Sequence, residues 1–239
     1  VAQAGESGSL YGVGVGPGDP ELLTIKAYKV LRQCPVIAYP KRREGSKSYA
    51  LEIVELYVDT TEKEMLGLVF PMTKDPDVLA QQWQQTVDCL WEHLCLGQDV
   101  AFVTEGDPML YSTFIHMSRL VQQCHPQVPI RSIPGVSSMN AAASAFGVPL
   151  ADGNQTIAIV PATGDAEKTR RMLLDNDCVV FIKVAKVLDF MIPLLSDMGL
   201  LDKAMVGTRV TSKDEVLWRN VSDVYGTEMN YLTLMVVKK

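Results

Sequence analysis

The stretch Leu10-Tyr11-Gly12-Val13-Gly14-Val15-Gly16-Pro17-Gly18-Asp19-Pro20-Glu21-Leu22-Leu23-Thr24-Ile25-Lys26-Ala27 decides how the first half of the chain is read. Residues 10–15 are apolar and partly β-branched, the glycines and prolines that follow break the run, and apolar residues return at helical spacing over 22–31 with Thr24 and Lys26 turned outward. A strand, a glycine turn and a helix in that order open a crossover unit. In α/β sheets such turns lie outside the carboxyl ends of the strands, where ligands bind.

The same alternation continues outward from this unit. Strands are predicted at 36–39, 66–70, 100–103 and 130–133, and helices at about 48–58, 76–95, 111–124 and 137–146. Gly147, Pro149, Asp152 and Gly153 form the densest break in the second half, placing a boundary at about 147–154. Beyond it the chain is richer in strands, at 156–160, 179–182, 204–210, 215–220 and 231–237, with helices near 166–174 and 187–198. The last three strands have room for antiparallel pairs. The fold class is α/β, with two α/β domains at 9–150 and 151–239.

Composition narrows the function classes. With 239 residues, 47% hydrophobic and 21% charged, the chain can bury a sizeable core. Twenty-two Lys+Arg against 28 Asp+Glu leave a net charge of -6, which argues against a general attraction to nucleic acid or anionic membrane. The longest apolar run, near Val179, is too short to span a bilayer, and residues 1–8 read as a loose end without a basic and apolar leader pattern, so a cytoplasmic location is expected. Cys34, Cys89, Cys95, Cys124 and Cys178 are odd in number, scattered and without a C-x-x-C pair, and are read as buried free thiols of a reducing compartment. His93, His116 and His125 stand at no metal-ligand spacing, and no metal site is expected.

Three glycine-bearing clusters follow predicted strands. In the first, a dinucleotide pattern G-x-G-x-x-G would need glycine at Pro17 or Asp19, so both registers fail, and no G-x-x-x-x-G-K-[ST] occurs anywhere. Pro17 removes an N–H and Asp19 puts a carboxylate near the helix start, which suits a cationic or neutral ligand better than a phosphate. A tight turn without ligand explains the same residues. The second cluster, Thr104-Glu105-Gly106-Asp107-Pro108-Met109-Leu110-Tyr111-Ser112-Thr113, adds two carboxylates that favour a sulfonium or ammonium group, with helix capping by Asp107 as the competing reading. The third, Ile133-Pro134-Gly135-Val136-Ser137-Ser138-Met139-Asn140-Ala141-Ala142-Ala143, offers Ser137 as a helix cap and small residues that let a ligand or another backbone approach; tight helix-to-sheet packing explains the alanines equally well.

Lys41, Arg42, Arg43 and Lys47, with Glu44 among them, form a basic island directly after the second strand. On the same sheet edge as the glycine turns it can steer a polyanionic substrate, or it is a solvated loop.

Taken together, GVGVGPGDPELLTIKA from Gly12, EGDPMLYST from Glu105, IPGVSSMNAAASAFGVPL from Ile133 and YLTLMVV from Tyr231 resemble the S-adenosylmethionine-dependent tetrapyrrole methylases of the cobalamin and sirohaem pathways, over about residues 9–238. Within that family, LYGVGVGPGDPELLT followed by VIAYPK looks most like the subgroup that methylates meso carbon C20 of precorrin-2 or cobalt-factor II. The resemblance implies a cleft between two α/β domains that holds S-adenosylmethionine, and S-adenosylhomocysteine as product, in a homodimer. The family's donor contacts carry over to Pro17, Glu105, Gly106, Asp107 and Leu110, to Ser137 and Ser138, and to Lys183, Val210 and Leu232. Glu105 and Lys183 depart from the glycine and methionine common in the family, so backbone contacts carry over there and side-chain roles do not.

The acceptor in this family carries eight carboxylates, which assigns Lys41, Arg42, Arg43 and Lys47 to substrate binding, with Tyr111 beside them. The nucleophile then belongs to the substrate, and Asp107 is the candidate for assisting proton loss from the meso carbon, directly or through water. The alternatives are a related methylase acting at another corrin-ring position or on a modified histidine of a translation factor, a nicotinamide-dependent reductase, and a non-catalytic module that keeps the donor pocket.

Overall fold

The computed structural model describes residues 6–41, 45–46, 48–70 and 75–239; Arg42, Arg43 and Lys47 lie outside the described residues. Contacts divide the chain into Val1–Ser137 and Ser138–Lys239.

The first unit is a five-stranded sheet of order β3-β2-β4-β1-β5, built from β1 (Leu10–Gly14), β2 (Val36–Lys41), β3 (Glu64–Val69), β4 (Val100–Thr104) and β5 (Ile130–Ile133). Every pairing is parallel, so all five carboxyl ends share one edge. Residue alternation assigns the two faces. Val13, Ile37, Ala101 and Val103 pack with Ala27 and Leu31 of α1 (Ile25–Gln33) and with Ile53 and Val54 of α2 (Tyr49–Val54). Leu10, Val36, Ala38, Val100 and Phe102 pack with Val87 and Leu90 of α3 (Pro76–Leu94) and with Phe114 and Met117 of α4 (Thr113–Cys124). Gly12 belongs to this packing: a Cβ there would enter the Phe114 ring.

Two helix starts differ from the sequence expectation. Asp19 caps only a three-residue 3-10 turn, Pro20–Leu22, Leu23 is extended, and α1 begins at Ile25 with Thr24, read as outward-facing, accepting the Ala27 N–H as its cap. After β4 the cap is Ser112, whose Oγ accepts the Phe114 N–H at 3.2 Å; Asp107 does not cap α4.

The second unit carries β6 (Ile157–Pro161), β7 (Cys178–Ile182), β8 (Ala204–Thr208), β9 (Val216–Trp218) and β10 (Thr233–Lys238) in the order β6-β7-β10-β8-β9. Only β6 and β7 run parallel; the other three pairings are antiparallel. One face packs α6 (Ala166–Asp175) and α7 (Leu188–Asp197) through Leu173, Met191 and Leu195. The other packs Ala141, Ala142 and Phe146 of α5 (Ser138–Phe146) on Cys178, Val180, Leu234 and Val236. The alanines of the third cluster therefore serve helix-to-sheet packing. Because this packing is with strands of the second sheet, α5 groups with the second unit, and the division falls before it rather than at the 147–154 break.

Three cysteines also depart from the expectation of buried thiols, Cys89 being half-buried. Cys34 and Cys178 are buried, but Cys95 and Cys124 are exposed at the ends of α3 and α4.

Candidate functional site

In the first unit β1 and β4 are neighbours whose following helices pack on opposite faces, and the edge between two such strands is where an open α/β sheet leaves a crevice. The turns after β1, β4 and β5 meet there. Val15 N–H donates to the Thr104 carbonyl at 3.0 Å and Gly106 N–H to the Gly16 carbonyl at 2.8 Å, an antiparallel bridge that ties the first turn to the second. The third turn is tied in by Asp107: its Oδ2 accepts the Gly135 N–H at 3.1 Å while Oδ1 accepts the Met109 N–H of its own turn at 2.8 Å. A Cβ on Gly14 would lie 2.5 Å from the Gly106 oxygen and 2.7 Å from the Gly135 nitrogen, and a Cβ on Gly135 would strike the same Gly106 oxygen. Glycine at 14 and 135 is thus what lets three backbones touch.

Around this junction Pro17 and Gly106 are buried, and Glu105, Asp107 and Leu110 are half-buried. Tyr111 is 46% exposed and holds a positive φ of 51°. Thr104 and Ser112, which the sequence reading passed over, are joined through their hydroxyls at 3.0 Å and anchor the second turn to the start of α4. Ser112 was legible as a Ser directly before an apolar helical run.

Ser137 departs from its expected role. It is 8% exposed and its Oγ has no hydrogen-bond partner, so it does not cap α5; Ser138 beside it is exposed. A buried hydroxyl without a partner costs free energy that a bound polar group would recover.

At the carboxyl end of β2, Lys41 lies over the Tyr39 ring, its Nζ 5.5 Å from the centroid, and its side chain fills the space above Gly67 on β3, where a Cβ would collide with it. Lys183, Val210 and Leu232, the three expected contacts of the second unit, also come together at one sheet end. Leu234 pairs with Ile182 and Thr233 with Thr208, while Arg209 N–H donates to the Leu232 carbonyl at 2.9 Å.

The donor set can be tested against S-adenosylmethionine. Closely packed backbone, half-buried Glu105 and Asp107, and the orphaned Ser137 hydroxyl suit a cationic sulfonium with polar appendages, and no lysine or arginine stands in the three turns to hold a pyrophosphate. The residues fit the group. Among the described residues no cluster of His, Cys, Asp and Glu is arranged to hold a metal ion, and no helix is long and apolar enough to cross a membrane.

Comparison with known proteins gives a consistent picture. The family model described as Tetrapyrrole (Corrin/Porphyrin) Methylases matches residues 9–224. A probable cobalt-precorrin-2 C(20)-methyltransferase of Methanocaldococcus jannaschii is 34% identical, covering 96% of each chain. A precorrin-2 C(20)-methyltransferase of Sinorhizobium sp is 32% identical over 96% of this chain and 95% of its own. Among solved structures, a cobalt precorrin-4 methyltransferase superposes with a TM-score of 0.75 at 20% identity, covering all of this chain and 97% of the other. A uroporphyrin-III C-methyl transferase from Thermus thermophilus complexed with S-adenosyl homocysteine gives 0.67 at 21%, covering 97% of this chain and 98% of the other.

Proposed function

The chain belongs to the tetrapyrrole (corrin/porphyrin) methylases, and from this we propose that it is a methyltransferase that uses S-adenosylmethionine to methylate meso carbon C20 of precorrin-2 or cobalt-factor II, in cobalamin biosynthesis. The observation that carries the choice of C20 is that the two relatives above named for that position match over 96% of this chain and 95–96% of their own.

When bound, the donor supplies an electrophilic methyl on a sulfonium. The chain's task is to hold and orient. Pro17, Glu105, Gly106, Asp107, Leu110, Ser137 and Ser138 are the proposed contacts on the first turn edge and its continuation, and Lys183, Val210 and Leu232 those of the second sheet. Orientation of this kind is worth several kcal/mol, about 7–11 in favourable model systems, which makes a protein nucleophile unnecessary. Asp107, held by the two N–H groups it accepts, is the proposed acceptor of the proton that leaves C20, directly or through water. Lys41, Arg42, Arg43 and Lys47 would meet the carboxylates of the macrocycle, with Tyr111 against its face. The metal, where present, is carried by the macrocycle. Cytoplasmic location and a homodimer complete the reading; light scattering on the purified protein tests the latter.

The direct experiment is anaerobic incubation with S-adenosylmethionine and either metal-free or cobalt-loaded dimethylated macrocycle. The expected result is one added methyl located at C20. A methyl at another ring position, or none with either substrate, overturns the assignment.

A further inference from the structure

Three non-glycine residues of positive φ stand at one end of the second sheet: Lys183 at 57° after β7, and Arg209 at 47° and Thr211 at 70° after β8. A β-branched residue in this region is a genuine outlier, and such strain persists only where its surroundings over-determine it, clustering at active sites, ligand clamps and switch regions. Here the surroundings are visible. The Glu215 carboxylate accepts the Thr211 N–H through Oε2 at 2.6 Å, a short charge-assisted bond. Ser212 N–H donates to the Arg209 carbonyl and Glu215 N–H to the Ser212 carbonyl, both at 3.0 Å, closing the turn on itself. Arg209 N–H is held by the Leu232 carbonyl at 2.9 Å, and its guanidinium meets Asp214 at 3.1 Å in a partly solvated pair. Between the two strained residues sits Val210, 4% exposed.

We propose that Glu215 is a positioning residue: by accepting the Thr211 N–H it keeps the 209–211 turn in its strained form and so presents the Val210 backbone to the methyl donor. This rests on the donor contact proposed for Val210 above. Thr211 gives the idea a sharp test, because glycine adopts a φ of this kind without a brace.

The experiment measures S-adenosylhomocysteine binding by calorimetry, with KM and kcat from methyl transfer, for the wild type, Glu215→Ala, Glu215→Gln and Glu215→Ala combined with Thr211→Gly. Loss of the brace should raise the Kd of Glu215→Ala about tenfold, with the donor KM following and kcat at saturating donor holding. Glu215→Gln, whose amide oxygen still accepts the N–H, should stay within about threefold of wild type, and the double variant should recover to about the same level. Glu215→Ala that binds like the wild type, or a folded double variant that does not recover, overturns the bracing role. Wild-type protein that binds no S-adenosylhomocysteine overturns the donor reading itself and this inference with it.

Discussion

Asp107 and Gly135, on different turns, are joined directly: the Asp107 Oδ2 accepts the Gly135 N–H at 3.1 Å, while the other carboxylate oxygen takes the Met109 N–H at 2.8 Å. One side chain thus shapes its own turn and locks the turn after β5 against it, at the edge where β1 and β4 part. A residue picked out for its acidity has a second, architectural use.

Asp107→Asn bears on both, because the amide keeps one accepting oxygen and sets an NH2 against one of the two N–H groups; turnover and binding tell the roles apart. With the proton acceptor gone, kcat should fall on the order of 100-fold, with the fold intact by circular dichroism. If kcat persists and only the Kd for S-adenosylhomocysteine rises, by about tenfold, the carboxylate serves to join the turns and moves no proton.

Gly135→Ala puts a methyl into the Gly106 carbonyl oxygen, so that backbone must shift to admit it. A loss of about 2–4 kcal/mol in urea unfolding is expected. Gly164→Ala is the control, since nothing lies within 4 Å of a Cβ there; its stability should stay within about 0.5 kcal/mol of wild type. Equal effects at both positions would show that the three turns do not touch.

Ser137→Ala should act in opposite senses on stability and binding. Removing a buried hydroxyl that has no partner stabilises the ligand-free protein by about 1 kcal/mol, whereas loss of its bond to the donor weakens S-adenosylhomocysteine binding about five- to tenfold. Thermal melts with and without ligand measure both. A variant less stable without ligand would mean that the hydroxyl is satisfied within the protein.

Gly67→Ala displaces only the flexible end of Lys41, so folding should be nearly unaffected, within about 0.5 kcal/mol, while KM for the tetrapyrrole rises about threefold or more. Arg42 and Arg43 replaced by Ala should raise the same KM and make it less salt-sensitive. Unchanged KM and salt response in both variants would assign the basic island to solvent.

Burial, with Asp99 adding to it and Lys63 opposing, pushes the Cys34 thiol from 9.0 up to about 12. The fold therefore favours the neutral thiol. The sign follows: this stabilisation is complete below about pH 9 and is lost as pH rises toward 12, because only the unfolded chain ionises in that window. Urea melts of wild type and Cys34→Ala between about pH 8 and 11 should show the wild type losing up to ~1.4 kcal/mol per pH unit more above its unfolded value. Parallel curves would place the thiol in solvent contact. In a thiol-labelling assay at neutral pH, exposed Cys95 and Cys124 should react well before Cys34 and Cys178.

Most of the element order was legible because strand and helix periods differ and glycine and proline punctuate them. Residues 130–133 and the long helix from Pro76 were read nearly to the residue. Errors gathered where short polar side chains choose between roles. Asp19, Thr24, Ser112 and Ser137 are all competent caps; Asp19 caps a 3-10 turn, Thr24 and Ser112 cap α1 and α4, and Ser137 caps nothing. A cap is decided by which N–H groups are left over locally, and that depends on where the preceding turn ends in space.

By itself the sequence determined the alternation of strands and helices, the three glycine turns and the family motifs they carry, because each is encoded within a few consecutive residues. Only the tertiary structure decided that Gly14, Gly106 and Gly135 touch, that Asp107 spans two turns, that α5 packs on β7 and β10, and that Glu215 braces Thr211. These contacts join residues from separate turns and layers or depend on a backbone dihedral. The strand order that creates them is a property of the whole sheet, which no local pattern records.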